Sequence, residues 1–303
     1  MINNIIYSIL KLMPKRLVWI FSKKYIAGEH VEDAINVSKK FNSDGIKVTI
    51  DILGEFISKL DEAESNKQEY LDLIEQIESQ KIDGNYSVKP TMFGLLLDKD
   101  ICYKHIREIV KKAASYGNFV RIDMEDSPCV DMEIDIYRKI KSEFPGNVGL
   151  VLQAYMRRTL EDVKNLMDIH SEKNGLNFRL CKGIYVEAEK IAYKKYHEIN
   201  SHFIEEMDFM LKNNIYIGIA THDKPLVNAA YELIEKYKVP KERYEFQMLL
   251  GVTPELRKSI IDKGHTMRVY IPYGSQWHGY SMRRLKENPK MINYIIKALF
   301  FHG

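Results

Sequence analysis

Polar side chains interrupt apolar, β-branched runs at eight places along the chain. Asp51 and Glu55, Lys89, Asp123 and Glu125, Gln153, Arg179 and Lys182, Thr221 and His222, Gln247, and Tyr270 stand at or just past the ends of those runs. Carboxylate, ammonium, guanidinium, amide and phenol groups from separate runs meet only if the runs lie side by side. Brought together, the cations among them make a site for an anionic ligand. Taken singly, each residue has a plainer reading, because strand ends often carry polar groups that bond loop backbone.

A second cluster runs Tyr280-Ser281-Met282-Arg283-Arg284-Leu285-Lys286-Glu287. On a helix Glu287 can reach Arg283, four residues before it, or Arg284, three before it. Neighbouring helical side chains point about 100° apart, so the two arginines grip a small anion from two sides. Guanidinium forks match carboxylate and phosphate geometry. The competing reading is an exposed, salt-bridged helix face. Tyr270 falls close enough in sequence to share a pocket with this pair.

Other signals are weaker. His197 and His202 look like a stretched HExxH, but histidines five apart diverge on a helix. Asp123, Glu125 and Asp126 lack a second carboxylate group at fixed spacing, so no metal site is expected. Cys102, Cys129 and Cys181 are odd in number and form no CxxC pair. That argues against a disulfide framework or zinc ribbon and fits a reducing cytoplasm.

The elements that must position these groups alternate in type. Strand-like runs occur at 45–55, 86–95, 119–125, 148–155, 178–185, 215–221, 244–250 and 267–272. Helix-compatible stretches occupy 61–80, 101–116, 131–144, 159–172, 187–212, 224–237 and 254–263, with a last one after Gln276. Strands alternating with helices indicate parallel βα units. The count of eight over about 250 residues favours a (β/α)8 TIM-type barrel over a doubly wound sheet. No GxGxxG or P-loop occurs. Residues 1–44 read as an N-terminal α-helical arm and 45–303 as the barrel. Phe203, Met207, Met210 and Leu211 read as core, and Pro90 marks the end of strand two.

The 303 residues carry a formal charge of +3, with 45% hydrophobic and 29% charged side chains. This is an ordinary globular composition. A chain of this length buries about three quarters of its unfolded surface and needs no staple. The charge balance argues against general nucleic-acid binding. No signal peptide is expected, and the apolar run 5–13 falls short of the roughly 20 residues of a spanning helix. Residues 15–25 mix apolar and basic side chains. They form either an arm packed on the barrel or an interfacial amphipathic helix with Trp19 at the lipid boundary.

Eight segments, in order, resemble the proline dehydrogenase family, specifically its bacterial monofunctional members. They are TIDILGE (Thr49 to Glu55), SVKPTMFG (Ser87 to Gly94), RIDMED (Arg121 to Asp126), LQAY (Leu152 to Tyr155), FRLCKGIYVE (Phe178 to Glu187), IATHD (Ile219 to Asp223), EFQMLLG (Glu245 to Gly251) and RVYIPYG…YSMRRLKEN (Arg268 to Asn288). The resemblance spans residue 45 to the end and leaves no room for the aldehyde dehydrogenase domain of some relatives. Its most specific parts are RL-x-KG-x-Y and the late RRLxE.

The resemblance implies an FAD-filled barrel that oxidises L-proline to Δ1-pyrroline-5-carboxylate. Hydride would pass from proline to flavin N5, and electrons to a quinone-type acceptor. Arg179 would lie against the N5 edge and Gln153 at the pyrimidine edge. Met124, Lys182, Gly183, Ile184, Thr221 and His222 would line the cofactor, with Gln247 and Glu287 as further cofactor positions. Lys89, Arg283 and Arg284 would hold the substrate carboxylate, and Tyr270 would pack on the pyrrolidine ring. Asp123 would sit beside Lys89 and Arg179 as their charge partner and, with Arg179, carry catalysis. Cys181, Ile184, Val186, Pro90 and Met92 depart from the usual family residues. The implied setting is cytoplasmic, with peripheral contact at the inner face of the cell membrane and a pyrroline-5-carboxylate dehydrogenase as partner. Two rivals stay open: a Schiff-base lyase using Lys89 or Lys182, and a catalytically silent scaffold.

Overall fold

A computed structural model describes residues 15–287, without the side chains of residues 16, 17, 20, 21 and 283–287. Eight strands pair in parallel in chain order, and the first closes against the last. They are β1 (Lys47–Ile52), β2 (Gly84–Val88), β3 (Val120–Ile122), β4 (Val148–Gln153), β5 (Asn177–Cys181), β6 (Tyr216–Ala220), β7 (Tyr244–Leu249) and β8 (Met267–Tyr273). Helices α1 (Lys15–Ser22) and α2 (Val31–Ser43) precede the barrel. Then follow α3 (Leu60–Ser79), α4 (Lys99–Ser115), α5 (Val130–Glu143), α6 (Thr159–Leu166), α7 (Tyr196–Lys212), α8 (Lys224–Tyr237), α9 (Pro254–Asp262) and α10 (Trp277–Glu287). This is the (β/α)8 barrel that the sequence pattern predicts.

The strands alternate with period two. One set of side chains packs outward under the helices: Phe178 tilts against Tyr137 of α5, and Phe246 meets the Tyr231 ring of α8 edge-on. The other set bonds across the bore and is polar. Thr49 reaches Asn85 at 2.5 Å, Arg121 reaches Asn177 at 2.7 Å, and Arg268 reaches Glu245 at 2.6 Å.

Three elements depart furthest from the sequence reading. Strand β2 stops at Val88, and Pro90–Phe93 form a 3-10 turn. Pro90 cannot donate to a ladder, so it ends the strand as expected, but well before residue 95. Helix α7 starts at Tyr196, not at 187. Residues 187–195 instead cross over the end of β4: Arg157 N donates to Ile191 O at 3.0 Å and Tyr193 N to Tyr155 O at 2.8 Å. Glu187 pins this strap by accepting from Ser127 N at 2.7 Å and Ser127 Oγ at 2.8 Å. Helix α6 ends at Leu166 and passes into a 3-10 turn, Met167–Ile169.

The N-terminal helices pack on β8 and α10. The Trp19 and Trp277 rings meet edge to face with centroids 4.7 Å apart, and Trp277 Nε1 donates to Glu29 at 2.5 Å. Ala27 N bonds Pro272 O at 2.9 Å, and Gly274 N bonds Gly28 O at 3.0 Å. Of these contacts, the Trp19–Trp277 pair joins α1 to α10.

Candidate active site

The strand ends surround a cavity of about 570 Å³. Thirteen of the singled-out residues line it: Glu55, Lys89, Asp123, Met124, Gln153, Arg179, Lys182, Gly183, Ile184, Thr221, His222, Gln247 and Tyr270. All eight strands supply them from their C-terminal halves or the loops just beyond, which is why groups so far apart in sequence meet. Arg283, Arg284 and Glu287 fall on α10, but their side chains lie outside the described residues. Tyr280 of the same helix does line the cavity.

Arg179 is held on two sides. Its Nη1 donates to Asp123 Oδ1 at 2.9 Å and to Ser87 Oγ at 3.2 Å, while Nε donates to Gln247 Oε1 at 2.6 Å. The guanidinium lies 5.1 Å from the Tyr270 ring centroid. Its Nη2 is buried and has no hydrogen-bond partner in the protein. Buried donors are rarely left unpaired, and Arg179 is a residue of the cavity wall, so the orphaned donor fits a ligand bound there.

Lys89 and Asp51 form the second charged centre. Lys89 Nζ donates to Asp51 Oδ1 at 2.6 Å and lies 3.4 Å from Tyr270 Oη. Tyr270 in turn donates to Asp123 Oδ2 at 3.0 Å, which joins the two centres. Asp123 is a charge neighbour of both cations. Asp123 bonds Arg179 directly, whereas Asp51 is the direct partner of Lys89. Burial pushes the Asp51 carboxyl up to about 6, against the pull of Lys89. Burial also disfavours the Lys89 ammonium, but Asp51, Asp123 and Glu55 outweigh it and raise its pKa. A Schiff-base lysine needs the opposite shift, so the lyase reading loses its nucleophile at Lys89.

The third centre surrounds Lys182. Asp223 accepts from Lys182 Nζ at 2.6 Å, from Tyr196 Oη at 2.6 Å and from Asn200 Nδ2 at 3.0 Å. Burial opposes the Asp223 charge, yet these three donors hold its carboxyl below the usual range. Thr221 Oγ1 accepts from Asp223 N at 3.1 Å, and His222 Nε2 accepts from Leu249 N at 2.9 Å. An accepting Nε2 assigns the proton of neutral His222 to Nδ1.

Glu125, read from the sequence as a rim residue, is not in the cavity wall. It is fully buried and accepts from Thr91 N at 2.8 Å and Thr91 Oγ1 at 2.6 Å. Thr91 Oγ1 also accepts from Phe56 N at 2.9 Å, which holds Phe56 at a left-handed φ of 50° beside Glu55. The Glu125 carbonyl accepts from Gln153 Nε2 at 2.8 Å. Glu125 thus braces the loops after β1, β2 and β4. Burial pushes its carboxyl up to about 7 despite the Thr91 donors.

Sequence reasoning missed Ser87, Asp223, Tyr185 and the charged layer beneath the cavity formed by Arg121, Glu245 and Arg268. The missed signal is parity: Ser87 shares the bore-facing register with Asn85, and Glu245 shares it with Gln247. Burial pulls Arg121 down to about 9, with Arg179 adding to the effect.

Between the charged centres the wall is apolar, with Met124, Val151, Ile184, Ala220, Met248 and Leu249. Gly183 has φ +102°, and a Cβ there would fall 2.2 Å from the Tyr155 ring. Any larger residue would displace Tyr155 or the loop. Among the described residues no cluster of His, Cys, Asp or Glu could hold a metal ion. The Cys181 thiol is pushed up to about 11 by burial, so it is not a thiolate nucleophile. A flat, largely apolar ring system with hydrogen-bonding edges fits these walls and the orphaned Arg179 donor.

The family model for proline dehydrogenase matches residues 34–295. The chain belongs to the proline dehydrogenase family. It is 34% identical to proline dehydrogenase 1 of Bacillus subtilis subsp. natto, over 92% of this chain and 90% of that one. It is 33% identical to proline dehydrogenase 2 of Bacillus subtilis strain 168, over 91% and 89%. A crystal structure of proline utilization A from Bdellovibrio bacteriovorus, inactivated by N-propargylglycine, superposes with a TM-score of 0.80 at 29% identity. That match covers 87% of this chain and 32% of the longer one.

Proposed function

We propose that this chain oxidises L-proline to Δ1-pyrroline-5-carboxylate with FAD bound in the barrel mouth. The observation that carries the reading is Arg179: a residue of the cavity wall whose guanidinium is fixed on two sides, with its remaining donor buried and unpaired. FAD, when bound, supplies the hydride acceptor and passes the electrons to a quinone-type acceptor. Arg179, Gln153, Met124, Lys182, Gly183, Ile184, Thr221 and His222 would hold it. Gln247 would act chiefly through Arg179, to which its amide is already bonded.

The chain's own residues bind and aim the substrate. Lys89, a buried cation, takes the proline carboxylate, joined by Arg283 and Arg284 from α10. Fixing both ends of a small substrate replaces a bimolecular encounter with an oriented one. Tyr270 offers its ring face to the pyrrolidine, with its hydroxyl anchored on Asp123. Asp123 accepts from Ser87, Arg179 and Tyr270, so it balances charge and leaves the amine proton to solvent. Arg179 stabilises negative charge that develops at its free edge. N-propargylglycine, the inactivator of the Bdellovibrio relative, is a secondary amino acid like proline, which supports the substrate class.

Acceptor, partner and location belong to the same reading. A quinone accepts the electrons, and a pyrroline-5-carboxylate dehydrogenase takes the product. The setting is cytoplasmic, with any membrane contact peripheral. No helix among the described residues is long and apolar enough to cross a membrane. The deciding experiment is a visible spectrum of the purified protein before and after anaerobic L-proline. Flavin absorption that bleaches on addition is expected. A flavin spectrum indifferent to proline, or a protein that cannot take up FAD, overturns the proposal.

A further inference from the structure

Beneath the cavity, a chain of buried bonds ends on Arg179. Arg268 Nη1 donates to Val48 O at 2.7 Å, and its Nε donates to Glu245 Oε1 at 2.6 Å. Glu245 Oε1 accepts a second bond, from Gln247 Nε2, at 2.6 Å. Gln247 Oε1 then accepts from Arg179 Nε at 2.6 Å. Glu245, Gln247 and Arg179 are all buried, at 2%, 5% and 6% exposure, so water does not substitute for these partners.

The polarity of this chain is forced at every link. Arg179 Nε can only donate, and an ionised Glu245 can only accept. The Gln247 amide between them satisfies both in one orientation. Rotated by half a turn, it would face its NH2 to Arg179 and its oxygen to Glu245, a donor against a donor and an acceptor against an acceptor. Glu245 therefore selects which face Gln247 turns to the arginine. Space for the amide comes from Gly218 on β6, where a Cβ would stand 2.4 Å from Gln247 Nε2. Neither Glu245 nor Gly218 lines the cavity.

We propose that Glu245, anchored by Arg268, is a positioning residue that orients Arg179 through the Gln247 amide. Its effect is on where the unpaired Arg179 Nη2 points, and so on how strongly the reduced cofactor is stabilised. The inference rests on the reading that Arg179 faces the flavin.

The test is the midpoint potential of bound FAD, with KM for L-proline and the rate of flavin reduction measured beside it. The double variant E245M/R268M removes the acceptor and its counter-charge together. Replacing a buried ion pair by apolar residues of similar volume commonly preserves the fold. It is expected to lose about tenfold in preference for the reduced cofactor, about 30 mV for two electrons. Flavin reduction should slow by a similar factor, with KM within about twofold. E245Q keeps an acceptor oxygen and restores most of the shift. G218A, which crowds the amide without touching any charge, reproduces it and decides the matter if the double variant does not fold. A folded, yellow E245M/R268M or G218A with wild-type potential and reduction rate overturns the proposal. R179M separates the two levels. If R179M shifts the potential and the double variant does not, only the positioning role falls. If neither shifts, the reading of Arg179 falls with it.

Discussion

Lys89 Nζ and Asp51 Oδ1 lie 2.6 Å apart, with side-chain exposures of 13% and 0%. The pair sits where burial opposes both charges, and the ammonium survives because Asp123 and Glu55 add to Asp51. A cation built at that cost to solvation is matched to an anionic ligand. Lys89→Met is therefore expected to raise KM for L-proline about 10- to 100-fold, the loss of a charge-assisted contact of about 1.5–3 kcal/mol. FAD content should stay near wild type, because Lys89 belongs to the substrate end. Steady-state kinetics with a flavin assay checks both, and an unchanged KM removes Lys89 from substrate binding.

Gly183 is where the loop after β5 passes the Tyr155 ring. Its φ of +102° is costly for any residue with a Cβ, and that atom would overlap Tyr155 carbons at 2.2 and 2.3 Å. Gly183→Ala should cost about 2–4 kcal/mol from backbone strain and overpacking together. It should also weaken FAD retention, since Lys182 and Ile184 flank it in the cavity wall. Urea unfolding and flavin content after gel filtration provide the check; a fully loaded variant of wild-type stability would refute the claim.

The barrel was legible in the sequence because eight β-branched runs alternate with charged helical stretches, and the rim was legible because polar residues close those runs. The bore was not. Asn85, Arg121, Glu245 and Arg268 sit inside strands, and only closure reveals that every second residue faces a shared polar axis. Asp51 was visible as a rim residue, but its bond to Lys89 depends on β1 and β2 lying side by side. Helix α7 was overextended because residues 187–195 are compatible with a helix in composition. Tertiary bonds to Arg157, Tyr155 and Ser127 hold them in a strap with one turn instead.

The Trp19–Trp277 contact makes a prediction about the arm. Edge-to-face aromatic pairs add about 0.5–1.5 kcal/mol beyond area burial. Trp19 is half-buried, so Trp19→Ala should cost about 2 kcal/mol, roughly half of a full core aromatic deletion. Because Trp277 opens α10, which carries Arg283 and Arg284, the variant should also raise KM for proline. Limited proteolysis should cut earlier near residues 15–25. Unchanged cleavage and unchanged melting would mean that α1 does not brace α10 in solution.

Glu206 makes the clearest prediction about pH. It is fully buried on α7, and neither carboxyl oxygen has a hydrogen-bond partner; His202 Nδ1 lies 3.7 Å from Oε1. Burial pushes its carboxyl from the ordinary 4.5 up to about 7, with His202 opposing. The folded state therefore binds more protons than the unfolded state between those values. Stability is highest below about pH 4.5 as far as Glu206 is concerned, and falls as pH rises through about 7. The full penalty is about 3 kcal/mol, of which about 2 kcal/mol appears between pH 5.5 and 8. His202 slopes the same way, since the neighbouring Glu206 carboxyl raises its pKa and that stabilisation disappears as pH rises. Asp51 and Glu125 slope the same way, so the informative quantity is a difference between proteins. Glu206→Gln keeps the shape and cannot ionise. From pH 5.5 to 8 it should lose about 2 kcal/mol less than wild type in urea unfolding, and at pH 8 it should be the more stable of the two. Parallel pH profiles for the two proteins would show that Glu206 is ionised, and solvated, in the fold.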